Sequence, residues 1–206
     1  MTASIVDGKS IAEVYLKRIQ LSPEGTAYLS KVNGVYQKTT WRQFHSKVLG
    51  IFHSYKKLGI QAGDRVAILS NTRPEWYIAD LANLCSGIIT IPIYQSNTPD
   101  DVAYLLEHSQ SKLVFAEDEA MVKKLESAFA LKKINIPAVV FQTPVSAING
   151  APPIPFEEFA APIQNKTIEE EFVKNAESIL PDHIASICYT SGTTGQPKGE
   201  IGRAHV

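Results

Sequence analysis

Between Arg65 and Ala116 the chain runs Val66-Ala67-Ile68-Leu69, a helically spaced segment from Pro74 to Cys85, Ile88 to Ile93, a second such segment from Pro99 to His108, and Leu113-Val114-Phe115-Ala116. Short strands that are apolar at nearly every position and alternate with helices are the pattern of βαβ units, in which a parallel sheet is covered on both faces. A further helix over about Glu119 to Leu131 leads to Ala138-Val139-Val140-Phe141 and continues the series. The reading is therefore an α/β fold, a parallel sheet flanked by helices, with right-handed crossovers.

Outward from this region, Ser or Thr followed three residues later by Glu, Gln or Asp marks helix starts, because the two side chains reciprocally satisfy amides at the helix end. Ser10 with Glu13, Thr40 with Gln43, Thr98 with Asp101 and Thr167 with Glu170 fit, and Pro99 sits at the favoured first helical position. From Trp41 to Leu58, Phe44, Val48, Ile51, Phe52, Tyr55 and Leu58 recur at helical spacing and Gly59 supplies a stop. Tyr28 to Val32 and Val35 to Thr39 flank Asn33-Gly34, a dipeptide suited to a two-residue hairpin turn. The proline-rich stretch from Thr143 to Pro162 reads as a surface loop with one short helix near Phe156, connecting parts of one larger domain. Thr167 to Ser178 then reads as a helix and Ile184 to Tyr189 as another buried strand.

Composition narrows the function classes. With 20 Lys+Arg against 21 Asp+Glu the formal charge is −1, which argues against a nucleic-acid protein working through bulk phosphate attraction. A 44% hydrophobic content supports a sizeable core rather than disorder. Cys85 and Cys188 both lie in apolar stretches and read as small core residues in a reducing, cytoplasmic compartment. No stretch has the length and apolarity of a membrane span, although peripheral membrane association leaves no trace at this level.

The segment with chemistry in it is Tyr189-Thr190-Ser191-Gly192-Thr193-Thr194-Gly195-Gln196-Pro197-Lys198-Gly199, directly after an apolar strand. Glycines let backbone amides approach an anion, hydroxyls add donors to phosphate oxygens, and the lysine adds positive charge, so ATP is the candidate ligand. A Walker A loop would need Gly-x-x-x-x-Gly-Lys-Ser/Thr, whereas Lys198 stands between Pro197 and Gly199. A flexible Ser/Thr/Gly linker is the bland alternative on composition alone. The five histidines, His45, His53, His108, His183 and His205, show no zinc-ligand spacing and read as surface or helix-face residues. Glu117-Asp118-Glu119 and Glu169-Glu170-Glu171 suit helix starts, and Lys123-Lys124 and Lys132-Lys133 read as solvated faces.

Position for position, Tyr189 to Gly199 resembles the phosphate-loop signature of the adenylate-forming enzymes, which include acyl-CoA synthetases, luciferases and peptide-synthetase adenylation domains. The resemblance runs upstream through Trp41-Arg42-Gln43-Phe44, Leu58-Gly59-Ile60-Gln61-Ala62-Gly63-Asp64-Arg65-Val66-Ala67-Ile68 and Asn71-Thr72-Arg73-Pro74-Glu75-Trp76. These look like the N-terminal part of long-chain fatty-acid CoA ligases, and Gly87 to Tyr94 is similar to that group too; Trp76 itself reads as core. The resemblance implies a two-step ligase that uses ATP with Mg2+ to convert a fatty acid to its acyl-adenylate and passes the acyl group to coenzyme A. It further implies that Thr190, Ser191, Gly192, Thr193, Thr194, Gly195 and Lys198 hold the ATP phosphates, with no catalytic residue and no metal ligand among them. Another acid–thiol ligase or adenylation domain is the neighbouring alternative, and a non-catalytic nucleotide-binding module the alternative of another class.

On this reading residues 1–199 are the N-terminal part of an AMP-binding domain, an incomplete N-terminal portion of the adenylate-forming fold, expected to be inactive alone. The family usually continues after Gly199 with Val or Ala, whereas Glu200-Ile201-Gly202-Arg203-Ala204-His205-Val206 stands here. One coding of that tail, GAG-ATC-GGA-AGA-GCA-CAC-GTC, matches a widely used sequencing adapter apart from its first base. The expectation is that residues 200–206 are non-native.

Overall fold

The sheet is assembled as the alternation of apolar strands and capped helices requires. The computed structural model describes residues 7–143, 145–190 and 197–205. In chain order the elements are α1 (Ile11–Leu21), β1 (Thr26–Val32), β2 (Val35–Thr40), α2 (Trp41–Leu58), β3 (Arg65–Leu69), α3 (Pro74–Ser86), β4 (Ile89–Ile93) and α4 (Pro99–Ser109). They continue with β5 (Leu113–Ala116), α5 (Glu119–Lys132), β6 (Ala138–Val140), β7 (Ile154–Pro155), α6 (Phe156–Phe159), α7 (Lys166–Glu177), β8 (Ile184–Thr190) and β9 (Lys198–Arg203).

Local chemistry explains most boundaries. Thr40 Oγ1 accepts from the Gln43 amide at 3.2 Å and Gln43 Oε1 accepts from the Thr40 amide at 2.9 Å, so α2 starts on a complete capping box. It stops where Gly59 turns left-handed at φ 70°. Thr98 and Asp101 cap α4 in the same reciprocal way. Asn33 and Gly34 both have positive φ, 50° and 85°, as the tight turn between β1 and β2 demands.

The hairpin β1–β2 is a sheet of its own; the main sheet has the order β7-β6-β5-β3-β4-β8-β9, parallel throughout except for the last pair. Strand alternation divides its side chains between two cores. Val66 and Ile68 of β3 join Val48, Ile51, Tyr55, Phe115, Phe156 and Phe172 on the side of α1, α2, α3, α6 and α7. Ala67 and Leu69 join Ile91, Leu105, Val114, Val122 and Leu125 under α4 and α5. Gly50 lets α2 cross close to the chain after α6, since a Cβ there would lie 2.5 Å from the Ala161 carbonyl oxygen and 2.6 Å from the Ala160 carbonyl carbon.

Two polar features lie in the first core. Tyr55 Oη donates to Asn83 Oδ1 at 2.6 Å, Asn83 Nδ2 to Thr90 Oγ1 at 3.0 Å, and Thr90 Oγ1 to Asp80 Oδ1 at 2.7 Å, which ties α2, α3 and β4 together. Burial pushes the Asp80 carboxyl up to about 6, against the opposing pull of the Thr90 hydrogen bond. His45 Nδ1 shares a hydrogen bond with Tyr15 Oη at 2.9 Å, and burial lowers this histidine to about 4.

The structure corrects the sequence reading at several points. Helix α7 is capped by Asn165, whose Oδ1 accepts from the Thr167 and Ile168 amides at 3.0 and 3.3 Å, so Thr167 lies inside the first turn rather than before it. The proline-rich connection contributes a two-residue strand, β7, to the sheet edge, where Pro155 removes no needed donor. Strand β8, one strand from the sheet edge, is only partly buried, and its Cys188 is exposed. In a stretch to which the sequence reading assigns no element, residues 198–203 form β9, antiparallel to β8, and the Ala204 carbonyl beyond it accepts from the Ile11 amide at 3.1 Å.

Candidate functional site

In doubly wound sheets, ligands sit outside the carboxyl ends of the strands where successive crossovers leave in opposite directions. Here that switch falls between β3, whose crossover helix α3 packs on one face, and β5, whose crossover helix α5 packs on the other. The crevice is filled by the protein's own polar groups. The Glu117 carboxylate accepts from Ser70 Oγ at 3.1 Å, the Asn71 amide at 2.7 Å and Gln95 Nε2 at 2.5 Å, with Arg73 at 3.6 Å. Gln95 Oε1 also accepts from Asn71 Nδ2 at 2.7 Å. Glu117 therefore does more than favour a helix start, and Lys124 is not a solvated residue: its ammonium donates to the carbonyls of Gln95 and of Asn97, the latter at 2.6 Å. The loop after β4 is thus fastened from both sides.

That loop forms one wall of an open cleft of about 470 Å³ beside the carboxyl ends of β4 and β8, lined by Tyr94, Asn97, Asp101, Leu105, Cys188, Thr190 and Pro197 among others. The volume lies within the range of small-molecule sites. Asp101 is held below the usual carboxylate range by the Thr98 hydroxyl and amide it caps, so its charge is committed to the start of α4. Burial raises the Tyr189 phenol, which keeps it protonated, and its Oη shares a hydrogen bond with His108 Nδ1 at 2.8 Å.

Of the residues singled out for phosphate binding, Thr190 ends β8 and Lys198 begins β9. They are direct partners in the β8–β9 ladder, which puts both side chains on one face of the ribbon. Both are exposed. Ser191, Gly192, Thr193, Thr194 and Gly195 lie outside the described residues. Sequence reasoning missed Tyr94, Asn97 and Tyr104 and gave His108 only a surface role. The one available signal was the spacing of Tyr104 and His108, four apart on one helix face. Among the described residues no three His, Cys, Asp or Glu side chains gather around a metal-sized space, and no helix is long and apolar enough to cross a membrane.

The comparisons with known proteins bear on the family and the fold. The chain is 30% identical to the long-chain-fatty-acid–CoA ligase FadD15 of Mycobacterium bovis over 92% of its own length and 30% of that protein's. It is 26% identical to the long-chain-fatty-acid–CoA ligase ACSBG2 of Gallus gallus, over 93% of this chain and 25% of that one. It thus spans about a third or less of these relatives and resembles their N-terminal part. Among solved structures, the anthranilate CoA ligase AuaEII superposes with a TM-score of 0.74 at 19% identity, covering 98% of this chain and 34% of that one. The benzoate CoA ligase of Burkholderia xenovorans does so with a TM-score of 0.73 at 21% identity, covering 95% and 34%. At these identities the structural likeness speaks for the fold, and the partial coverage makes this chain a portion of it. The family model of the AMP-binding enzymes matches residues 17–201, and the chain belongs to that family.

Proposed function

We propose that this chain is the front portion of a long-chain acyl-CoA ligase of the AMP-forming type, and that Thr190 to Gly195 together with Lys198 hold the β- and γ-phosphates of ATP. The observation that carries the reading is the pairing of Thr190 with Lys198 across the β8–β9 ladder, at the rim of the cleft beyond the parallel strands. That pairing places a hydroxyl donor and a cation at the two ends of a run of Ser, Thr and Gly. Such groups bind the triphosphate and stabilise charge as it develops.

In the reaction the fatty-acid carboxylate oxygen attacks the α-phosphorus, a new P–O bond forms, and the bond to pyrophosphate breaks with its electrons leaving on pyrophosphate. The thiol sulfur of coenzyme A then attacks the acyl carbon and AMP departs. Thr190, Ser191, Gly192, Thr193, Thr194 and Gly195 supply donors to the phosphate oxygens, and Lys198 offsets negative charge while pyrophosphate leaves. Magnesium would accompany the nucleotide as part of the substrate and would offset phosphate charge there. The described residues supply no ligand set of their own for it.

Calorimetric titration of the 206-residue chain with MgATP tests the site. Lys198→Ala removes a charge-assisted contact and should weaken binding about ten- to a hundredfold. An affinity for MgATP that ignores this change, or that does not exceed the affinity for AMP, would contradict it. Acyl preference is read in the full-length protein from pyrophosphate release with acids of graded chain length.

A further inference from the structure

We propose that the β1–β2 hairpin is a membrane-contact element whose tip rests on an anionic phospholipid surface. The chain has 21 Asp+Glu, yet none lies between Glu24 and Asp64. Several cations of that stretch are answered from elsewhere, Arg42 by Glu24, Lys47 by Glu157 and Lys56 by Glu171. On the hairpin, Lys31 and Lys38 meet no carboxylate among the described residues. Lys31 lies over the Tyr36 ring at 5.9 Å, and Lys38 donates to the Glu24 carbonyl at 2.8 Å. Every residue from Lys31 to Lys38 is exposed, and beside the two lysines stand Val32, Val35 and Tyr36, the last two 65% and 67% exposed.

The hairpin is held at its base and projects at its tip. At the base the Trp41 amide donates to the Gly25 carbonyl at 3.1 Å, the Arg42 amide to the Pro23 carbonyl at 2.8 Å, and Tyr28 meets Phe44 edge-on at 6.3 Å. Beyond it β1 and β2 pair only with each other, and the turn sets Val32 opposite Val35 and Lys31 opposite Tyr36. The tip thus carries a valine pair, with a lysine–tyrosine pair one step behind on the other face. Single exposed apolar residues are ordinary, whereas a cluster of them on a projecting ribbon marks a contact surface. Valines leading, with tyrosine and lysines behind, match the layers of a lipid interface: methyl groups meet the acyl boundary, the phenol sits at headgroup level, and the ammonium groups reach lipid phosphates. A nucleic acid would use the lysines and leave the valines idle, and a net charge of −1 offers it no wider basic surface. A second copy docked across a two-fold axis would set Lys31 and Lys38 against an identical patch without a free carboxylate to answer them. The contact is superficial, since among the described residues no helix is long and apolar enough to cross a membrane. The inference stands independently of the phosphate-binding reading.

The test uses the full chain and co-sedimentation with vesicles of phosphatidylcholine, alone or mixed with phosphatidylserine. Binding should require phosphatidylserine. Lys31→Gln and Lys38→Gln should each weaken it about fivefold, and Val32→Ser combined with Val35→Ser about tenfold or more. Lys57→Gln, at the far end of α2, should leave it unchanged. Spin-labelled phospholipid should broaden the amide signals of Val32, Asn33, Val35 and Tyr36 and spare Leu131 and Leu180, which are exposed apolar residues elsewhere. The same spectra show that each variant is folded. Absence of binding, binding indifferent to lipid charge or to the two lysines, or broadening that includes Leu131 and Leu180 overturns the proposal. Binding that needs the lysines but ignores the valines, and that polyuridylate displaces, makes the occupant a polyanion and overturns it too. Dimerisation in sedimentation equilibrium that the double serine variant abolishes, without vesicle binding, assigns the tip to a second copy instead.

Discussion

Replacing Asp80 by Asn should change the way stability depends on pH. A buried carboxyl raised from 3.8 to about 6 binds its proton more tightly in the folded chain than in the unfolded one. Its contribution is therefore intact below 3.8, declines as pH rises towards 6, and stays at the lower level beyond. The loss works out at about 1 kcal/mol at pH 4.5 and about 3 kcal/mol at pH 7.5. His45 runs the other way. Lowered from 6.5 to about 4 by burial, it leaves full stability above 6.5, and about 3 kcal/mol is lost as pH falls towards 4. In the native chain the two slopes largely cancel between pH 4 and 6.5. Asp80→Asn keeps an acceptor for the Thr90 hydroxyl and removes only the titration, so its stability gain over the native chain should grow by about 2 kcal/mol from pH 4.5 to pH 7.5. His45→Gln should tilt the profile oppositely. Urea unfolding of the three proteins at both pH values decides the matter, since every other titrating group cancels in the differences. A gap between Asp80→Asn and the native chain that is the same at both pH values would refute the reasoning.

Two other perturbations probe how the fold is held. Gly50→Ala drives a methyl group into the backbone at Ala160 and Ala161 and should cost about 1–3 kcal/mol in urea unfolding, while an unchanged midpoint would show that the crossing of α2 has room to give. Asn165→Ala should destabilise by about 1 kcal/mol through loss of the α7 cap and Thr167→Ala by less than half of that; the reverse order would mean that the helix starts at Thr167 in solution.

The sequence carried the fold wherever a local rule had no competitor. Thr40 with Gln43 and Thr98 with Asp101 close full capping boxes, Asn33-Gly34 turns the hairpin, and the apolar runs from Val66 to Val140 become parallel strands. Where two side chains could serve one role, the pattern did not choose: Asn165 reaches two amides and displaces Thr167 as the cap of α7. Strand β7 was illegible because two residues show no period. Long-range polar contacts were illegible for a different reason. Lys124 looks like any lysine on a helix surface until the loop after β4 is folded under it, and His108 acquires a partner only when β8 arrives beside α4. For the site, the Ser/Thr/Gly run and Lys198 were visible as chemistry. The cleft wall contributed by Tyr94, Asn97 and α4 depends on strand order, which no local window contains.

The central claim is that the triphosphate lies at the β8–β9 end of the cleft. Titrating the isotope-labelled chain with ATP carrying Mn2+ in place of magnesium, and following paramagnetic broadening of each amide signal, tests it most directly. The account predicts that Thr190, Lys198 and Asn97 broaden first, while Ile136 and Ile154 across the sheet and Leu29 in the hairpin keep their intensity. Broadening that is uniform, or strongest away from β8 and β9, would contradict it.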